Sequence, residues 1–159
     1  MIHQIRKEQF LNAKIEDVWD FVSSPKNLKK ITPKYMNFVI KSKNIDEKIY
    51  PGMILCYKVS PILRIPTNWV TEITHVKKNK LFVDEQRVGP YKIWHHEHLF
   101  IEENNGVLMV DIISYKLPFG ILGRLVNYLF IKKQLSTIFN YRFNKMNDFF
   151  NHAGGQVDY

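Results

Sequence analysis

The chain has a single cysteine, Cys56, among its 159 residues. That excludes an internal disulfide framework and fits a reducing compartment. Cys56 stands in the apolar run Met53-Ile54-Leu55-Cys56-Tyr57, so burial as a small inert hydrophobe is expected rather than nucleophilic chemistry. Long hydrophobic runs are also missing. The longest, residues 117–131, is interrupted by Arg124 and Asn127 and is too short to span a bilayer. The first ten residues carry Arg6, Lys7 and Glu8 where a secretory leader needs apolar side chains. A cytoplasmic protein with no integral membrane segment is therefore expected. Arginine is scarce, 5 residues against 18 lysines, and no Gly-rich phosphate loop, zinc-finger spacing or RNP-like aromatic motif accompanies the net charge of +8. The lysines are scattered through loops and strand edges, so nucleic acid is not expected as a partner.

What is present is enough for one domain with a real core or an enclosed pocket. Residues 3–11 alternate and predict a first strand. Residues 14–23 place Ile15, Val18, Trp19, Phe21 and Val22 at helical spacing, with Glu16 and Asp17 near the start where the helix dipole favours them. Ser24-Pro25 ends that helix, and Pro25 opens a second short one toward Thr32-Pro33. Six strands are then predicted, at 36–43, 53–60, 68–77, 80–88, 91–102 and 106–117. They are separated by turn signals at 44–46, Pro51-Gly52, 61–66, Lys78-Asn79, Gly89-Pro90 and 104–106. Such short connections predict an antiparallel meander. Pro118-Phe119-Gly120 leads into one long helix over 122–151, whose inner stripe should include Leu125, Leu129, Leu135, Ile138, Phe139, Phe143, Met146 and Phe150. The domain should occupy residues 1–152, with 153–159 a flexible tail. The expected fold is α+β: a seven-stranded antiparallel sheet curved around a long C-terminal helix, with two short helices between strands 1 and 2. A cavity is expected between sheet and helix.

The densest chemistry lies in residues 82–98. Trp94, His96, His98 and Phe100 share one face of a strand, while Ile93, His95, Glu97 and Leu99 share the other. A turn spanning Gly89 to Tyr91 puts His96 opposite Asp84 and Trp94 opposite Gln86. A two-residue turn would instead put Glu85 beside Trp94. On the following strand, Asp111 and Tyr115 share a parity that brings Asp111 beside His96 or His98, and Tyr115 beside Trp94 or His96.

Several segments carry a resemblance to a known superfamily. They are Ser24-Pro25-x-Asn27-Leu28 with Ile31-Thr32-Pro33, Ile65-Pro66-x-x-Trp69-x-Thr71-Glu72-Ile73, and Phe82-x-Asp84-x-Gln86. Further along come Gly89-Pro90-Tyr91-x-x-Trp94-x-His96-x-His98-x-Phe100, Asp111-x-x-x-Tyr115-x-Leu117-Pro118, and Phe139-x-Tyr141-Arg142. With these, residues 1 to about 150 resemble the helix-grip superfamily (START, birch-pollen-allergen and polyketide-cyclase-like proteins, often labelled SRPBCC). Within it the chain is similar to small bacterial single-domain proteins of the cyclase/dehydrase-like type. The resemblance implies the fold. It does not imply one activity, because lipid, hormone and quinone binders, aromatases and dehydratases share the scaffold.

The residues expected at the cavity are Trp69, Asp84, Gln86, Trp94, His96, His98, Asp111 and Tyr115, with Arg142 approaching from the helix. Three readings of the histidines stand side by side. They form a buried network, His96 with Asp84 and His98 with Asp111; they meet the polar end of an apolar ligand; or they bind a metal with one of the aspartates. The resemblance implies no metal, and no cofactor is expected. The expected function is binding of a small hydrophobic or aromatic molecule of the lipid, polyketide or quinone-like class. The alternative is a cyclase or dehydratase using a His–Asp pair, with His96 and Asp84 the candidates, as base and Tyr115 or a second histidine as acid. Residues 119–131 are expected to close the cavity mouth in preference to touching a membrane.

Overall fold

The computed structural model describes residues 1–43, 45–62 and 65–151. The expected tail, the tip of the 61–66 loop and Asn44 of the 44–46 turn lie outside the described residues.

Strand β1 (His3–Leu11) is followed by helix α1 (Ile15–Val22) and two short 3-10 turns, Pro25–Lys29 and Lys34–Met36. Glu16 and Asp17 fill the first turn of α1, where the helix dipole favours acidic side chains. Six strands come next: β2 (Val39–Ile40), β3 (Met53–Ile62), β4 (Ile65–Lys77), β5 (Leu81–Val88), β6 (Ile93–Glu103) and β7 (Gly106–Lys116). Their order in the single sheet is β1-β7-β6-β5-β4-β3-β2, antiparallel throughout. The meander is therefore present, and β1 joins it at the β7 edge.

Three strands differ from expectation. β2 is cut to Val39–Ile40 because a 3-10 turn precedes it and Asn37 closes that turn in the left-handed region, φ 48°. β3 and β4 run on into the predicted 61–66 break, with Ile62 paired to Ile65 across a register shift. Proline is tolerated there because β2 leaves the far end of β3 as a free edge. Cys56 is half-buried, not buried, because Met53, Leu55 and Tyr57 take the inward parity of β3.

The inner face of the sheet packs Leu55, Ile73, Phe82, Phe100 and Met109 with Ile15, Val18 and Trp19 of α1 and Met146 of the last helix. Trp19 meets Phe82 and Phe100 edge-on, with ring centroids 6.2 and 5.6 Å apart. Phe119 and Gly120 both adopt positive φ, 64° and 51°, and turn the chain from β7 into the C-terminal helix.

That helix is not uniform. Helix α2 (Gly120–Val126) passes through a π-helical turn (Asn127–Ile131) into α3 (Lys132–Phe150). Buried Asn127 accepts a hydrogen bond from the Tyr115 hydroxyl at 2.9 Å, which ties the π turn to β7. A π turn carries an extra residue and changes the helix phase. The expected inner stripe is consequently divided. Leu135, Ile138, Phe139 and Met146 are buried after the π turn, whereas Leu125 and Leu129 before or within it are exposed, and so is Phe143. Phe119 and Tyr128 are 79% and 81% exposed, and no described side chain of 119–131 lines the cavity, so the described side chains of this segment do not close its mouth as expected. Among the described residues no helix is long and apolar enough to cross a membrane.

Candidate functional site

A cavity of about 180 Å³ lies between the inner face of the sheet and helix α3. One wall is aromatic. Trp69 of β4 stands edge-on to Trp94 of β6, centroids 5.3 Å apart at 89°, and Tyr91 closes on Trp94 at 4.8 Å. Phe139 of α3 lies nearly parallel to Trp94 at 6.5 Å. The Trp69 indole N–H donates to the Thr71 hydroxyl at 3.0 Å, so the ring is oriented by its own strand. These side chains converge because Trp69 and Thr71, like Trp94 and His96, are two residues apart on strands whose inward parity faces α3.

The other wall is polar. The ladder sets Asp84 opposite His96 and His98 opposite Asp111, which puts both imidazoles between two carboxylates on the inner face. His98 Nδ1 lies 2.7 Å from Asp111 Oδ1, and His98 Nε2 lies 3.0 Å from Asp84 Oδ2. His96 Nε2 lies 3.1 Å from Asp111 Oδ1, and His96 Nδ1 lies 3.5 Å from Asp84 Oδ2. The two ring centroids are 3.7 Å apart with the planes tilted by 37°, and His98 stacks on Phe82 at 4.0 Å. Both histidines are buried, His96 to 3% exposure.

The environment separates the two imidazoles. Burial, with the charge of His98 beside it, lowers the pKa of His96. Burial acts on His98 too, but the charge and hydrogen bond of Asp111, together with Asp84, outweigh it and raise its pKa. Burial opposes ionisation of both carboxylates. For Asp111 the His98 charge and the two histidine hydrogen bonds prevail, and its pKa falls far below the ordinary range. For Asp84 the His98 hydrogen bond, the His96 and His98 charges and the Arg142 guanidinium lower it. These shifts favour the proton on His98 over His96 and the charged form of both aspartates. Arg142 sits over the Phe139 ring, 5.4 Å from centroid to guanidinium carbon, with its Nε buried and unpartnered among the described residues.

Of the residues expected at the cavity, Trp69, Asp84, Trp94, His96, His98 and Arg142 line it. Three do not. Asp111 lies behind the imidazoles and reaches the cavity only through them. Gln86 turns to the hairpin, its amide donating to the Tyr91 carbonyl at 2.6 Å and its oxygen accepting from the Tyr91 N–H at 3.2 Å. That use of Gln86 ends the β5–β6 ladder at Glu85 and His95, so Gln86 and Trp94 are not paired. Tyr115 opposes Trp94 in the β6–β7 ladder but is occupied by Asn127. His95 faces outward, as its parity requires, 3.0 Å from Glu85.

The lining residues that were not expected include two tyrosines. Tyr57 and Tyr91 both present rings to the cavity, and burial raises the pKa of each hydroxyl, Tyr57 further through the charge of Asp84. Tyr57 shares the parity of Met53 and Leu55, a pattern legible in the sequence; Tyr91 lies in a turn, where alternation carries no information.

No family model and no curated protein sequence matches this chain. Solved structures do share its fold. One is a START superfamily protein from Mycobacterium smegmatis, 13% identical, with 94% of this chain and 98% of that one covered at a TM-score of 0.68. A protein from Thermus thermophilus is 16% identical over 96% and 100% of the two chains, TM-score 0.68. A norcoclaurine synthase point mutant from Thalictrum flavum, in complex with a transition-state analogue, is 14% identical over 94% and 96%, TM-score 0.65. The chain has the START/Bet v 1-like helix-grip fold, a scaffold found in ligand-binding proteins and in some enzymes.

Proposed function

We propose that this helix-grip chain binds a small, largely apolar, ring-containing molecule in the cavity between sheet and α3, of the lipid, polyketide or quinone-like class. The observation that carries the reading is the cavity's two-sided lining: Trp69, Tyr91, Trp94 and Phe139 on one wall, Asp84, His96, His98 and Arg142 on the other. Apolar walls with a few convergent polar groups are what a small-molecule site requires. Size narrows the class. An apolar cavity of about 150 Å³ accommodates benzene, so about 180 Å³ suits one or two fused rings better than a two-chain lipid. The lone cysteine supports a cytoplasmic setting.

The test is titration with 1,4-naphthoquinone followed by tryptophan fluorescence, beside native mass spectrometry of gently purified protein. Trp94→Ala, which removes a stacking wall, should weaken binding about tenfold, the equivalent of about 1.4 kcal/mol. The far-UV spectrum should be unchanged. Naphthoquinone affinity identical in wild type and Trp94→Ala, with no organic adduct in the mass spectrum, would remove the reading. Turnover is the second reading, favoured by the buried His98–Asp84 pair on the cavity wall. It requires substrate consumption that disappears in His96→Ala.

A further inference from the structure

Each imidazole of the polar wall has one nitrogen toward β7 and the other toward β5. The two sides are not equivalent. Toward β7, Asp111 Oδ1 meets both rings closely, at 2.7 and 3.1 Å, and lies outside the cavity lining. Toward β5, Asp84 Oδ2 meets them more loosely, at 3.0 and 3.5 Å, and faces the cavity. We propose that Asp84 Oδ2, His96 Nδ1 and His98 Nε2 form a binding site for a divalent first-row transition-metal ion, zinc or ferrous iron, with its remaining coordination positions open to the cavity.

The geometry fits such an ion. The donor atoms of Asp84, His96 and His98 lie within 4.8 Å of one another. Tetrahedral zinc held at about 2.0–2.1 Å from each ligand separates its donors by about 3.3 Å. The observed Asp84–His98 and Asp84–His96 separations, 3.0 and 3.5 Å, fall on either side of that value. The donor set fits as well. Two imidazoles and one carboxylate suit zinc or ferrous iron, whereas magnesium and calcium take oxygen. Asp111 then has a defined role. Metal-bound histidines almost always donate their second N–H to a carboxylate or carbonyl, which fixes tautomer and ring orientation. Asp111 is placed to accept that bond from both rings at once.

Charge is also accommodated. Two carboxylates, buried Asp111 and half-buried Asp84, offset a dication, and any proton on the ligand nitrogens leaves to solvent when the ion enters. Arg142 adds a further positive charge at the cavity, so an oxygen-bearing, anionic end of the occupant would meet the open positions. That last clause rests on the pocket reading; the metal site itself does not. The His96-x-His98 spacing alone supplies only two ligands. The third depends on register, and the Asp84–His96 pairing provides it.

The experiment uses untagged protein, stripped with EDTA and dialysed. Zinc is titrated against a chromophoric chelator, cobalt is added separately as a spectroscopic probe, and ferrous iron is titrated anaerobically. One equivalent of zinc or iron should bind, and cobalt should give the visible bands of a four- or five-coordinate site. His98→Ala should weaken binding about a hundredfold, and Asp111→Asn about 10–100-fold. His95→Ala should change nothing, since His95 lies on the outer face with Glu85 and Glu97. Wild-type protein that takes up none of the three ions, or whose binding is lost in His95→Ala and kept in His98→Ala, overturns the site. The wild-type result decides the matter even if a variant fails to fold. Metal uptake without naphthoquinone binding would support this site while removing the pocket reading, and the reverse outcome would do the opposite.

Discussion

Replacing His98 by alanine, in protein kept metal-free with EDTA, tests how the polar wall is held together. In the folded chain His98 meets two carboxylates, buried Asp111 at 2.7 Å and half-buried Asp84 at 3.0 Å, and packs flat on Phe82. His98→Ala leaves Asp84 and Asp111 with only His96 between them. Removing one partner of a buried ion pair costs about 3–5 kcal/mol, chiefly because the remaining charge has lost its compensation. Taking about 4 kcal/mol, and about 2–4 °C per kcal/mol for a chain of this length, the melting temperature should fall by about 8–16 °C. Thermal melts at pH 7 by circular dichroism measure it directly. A paired control isolates the cause. In His98→Leu/Asp111→Leu the orphaned Asp111 charge is removed together with its partner, while Asp84 keeps His96 and Arg142 nearby. That double variant should recover at least half of the loss, because apolar replacement of a whole buried pair is often close to neutral. If His98→Ala melts within about 2 °C of wild type, or the double variant is as unstable as the single, the network does not stabilise the fold in the way described.

Two further outcomes follow from other parts of the structure. Burial raises the pKa of Tyr91 and Tyr115, so the folded chain holds these protons more tightly than the unfolded chain does. The stability this confers is fully present below the ordinary tyrosine value near 10 and is lost as pH climbs above it. Denaturant midpoints should be flat up to about pH 9.5 and fall beyond; midpoints that rise between pH 10 and 11 would contradict the sign. At Gly123 an added Cβ would collide with the backbone carbonyl of Pro118. Gly123→Ala should therefore destabilise by about 1–3 kcal/mol, although alanine favours helix by about 1 kcal/mol in an open site. A melting temperature above wild type would mean that α2 and Pro118 are not in this close approach.

The parts of the site that were legible in the sequence are those governed by strand parity. Side chains alternate rigidly along a strand, so Trp94, His96 and His98 had to share a face, and a tight turn at Gly89 to Tyr91 fixed Asp84 opposite His96. Helix faces are less secure. One inserted residue at Asn127–Ile131 changes the phase, and Leu125 and Leu129, spaced as core residues, end in solvent. No local pattern announced that insertion, because its visible cause is a distant contact, the Tyr115 hydroxyl on Asn127. Gln86 was misplaced for a related reason. Its side chain found backbone partners in the turn, which a parity argument does not count.

Pairing register and chemical partnership also separate within the cluster itself. Asp84 lies directly across from His96, and Asp111 from His98, so the simplest inference joins those pairs. Yet Asp84 makes its shorter contact diagonally, to His98, and Asp111 reaches both rings. An imidazole extends far enough from its strand to bridge the neighbours on either side, and it carries a nitrogen at each edge. Two such rings side by side between two carboxylates therefore share them. Removing any one member should disturb all the others, so single substitutions here will not sum. The coupling between Asp84 and Asp111, which do not touch except through His96 and His98, is measurable as the non-additivity of Asp84→Asn and Asp111→Asn in a double-mutant cycle. A coupling energy above about 0.5 kcal/mol marks the four as one unit, and strict additivity would reduce them to two independent pairs.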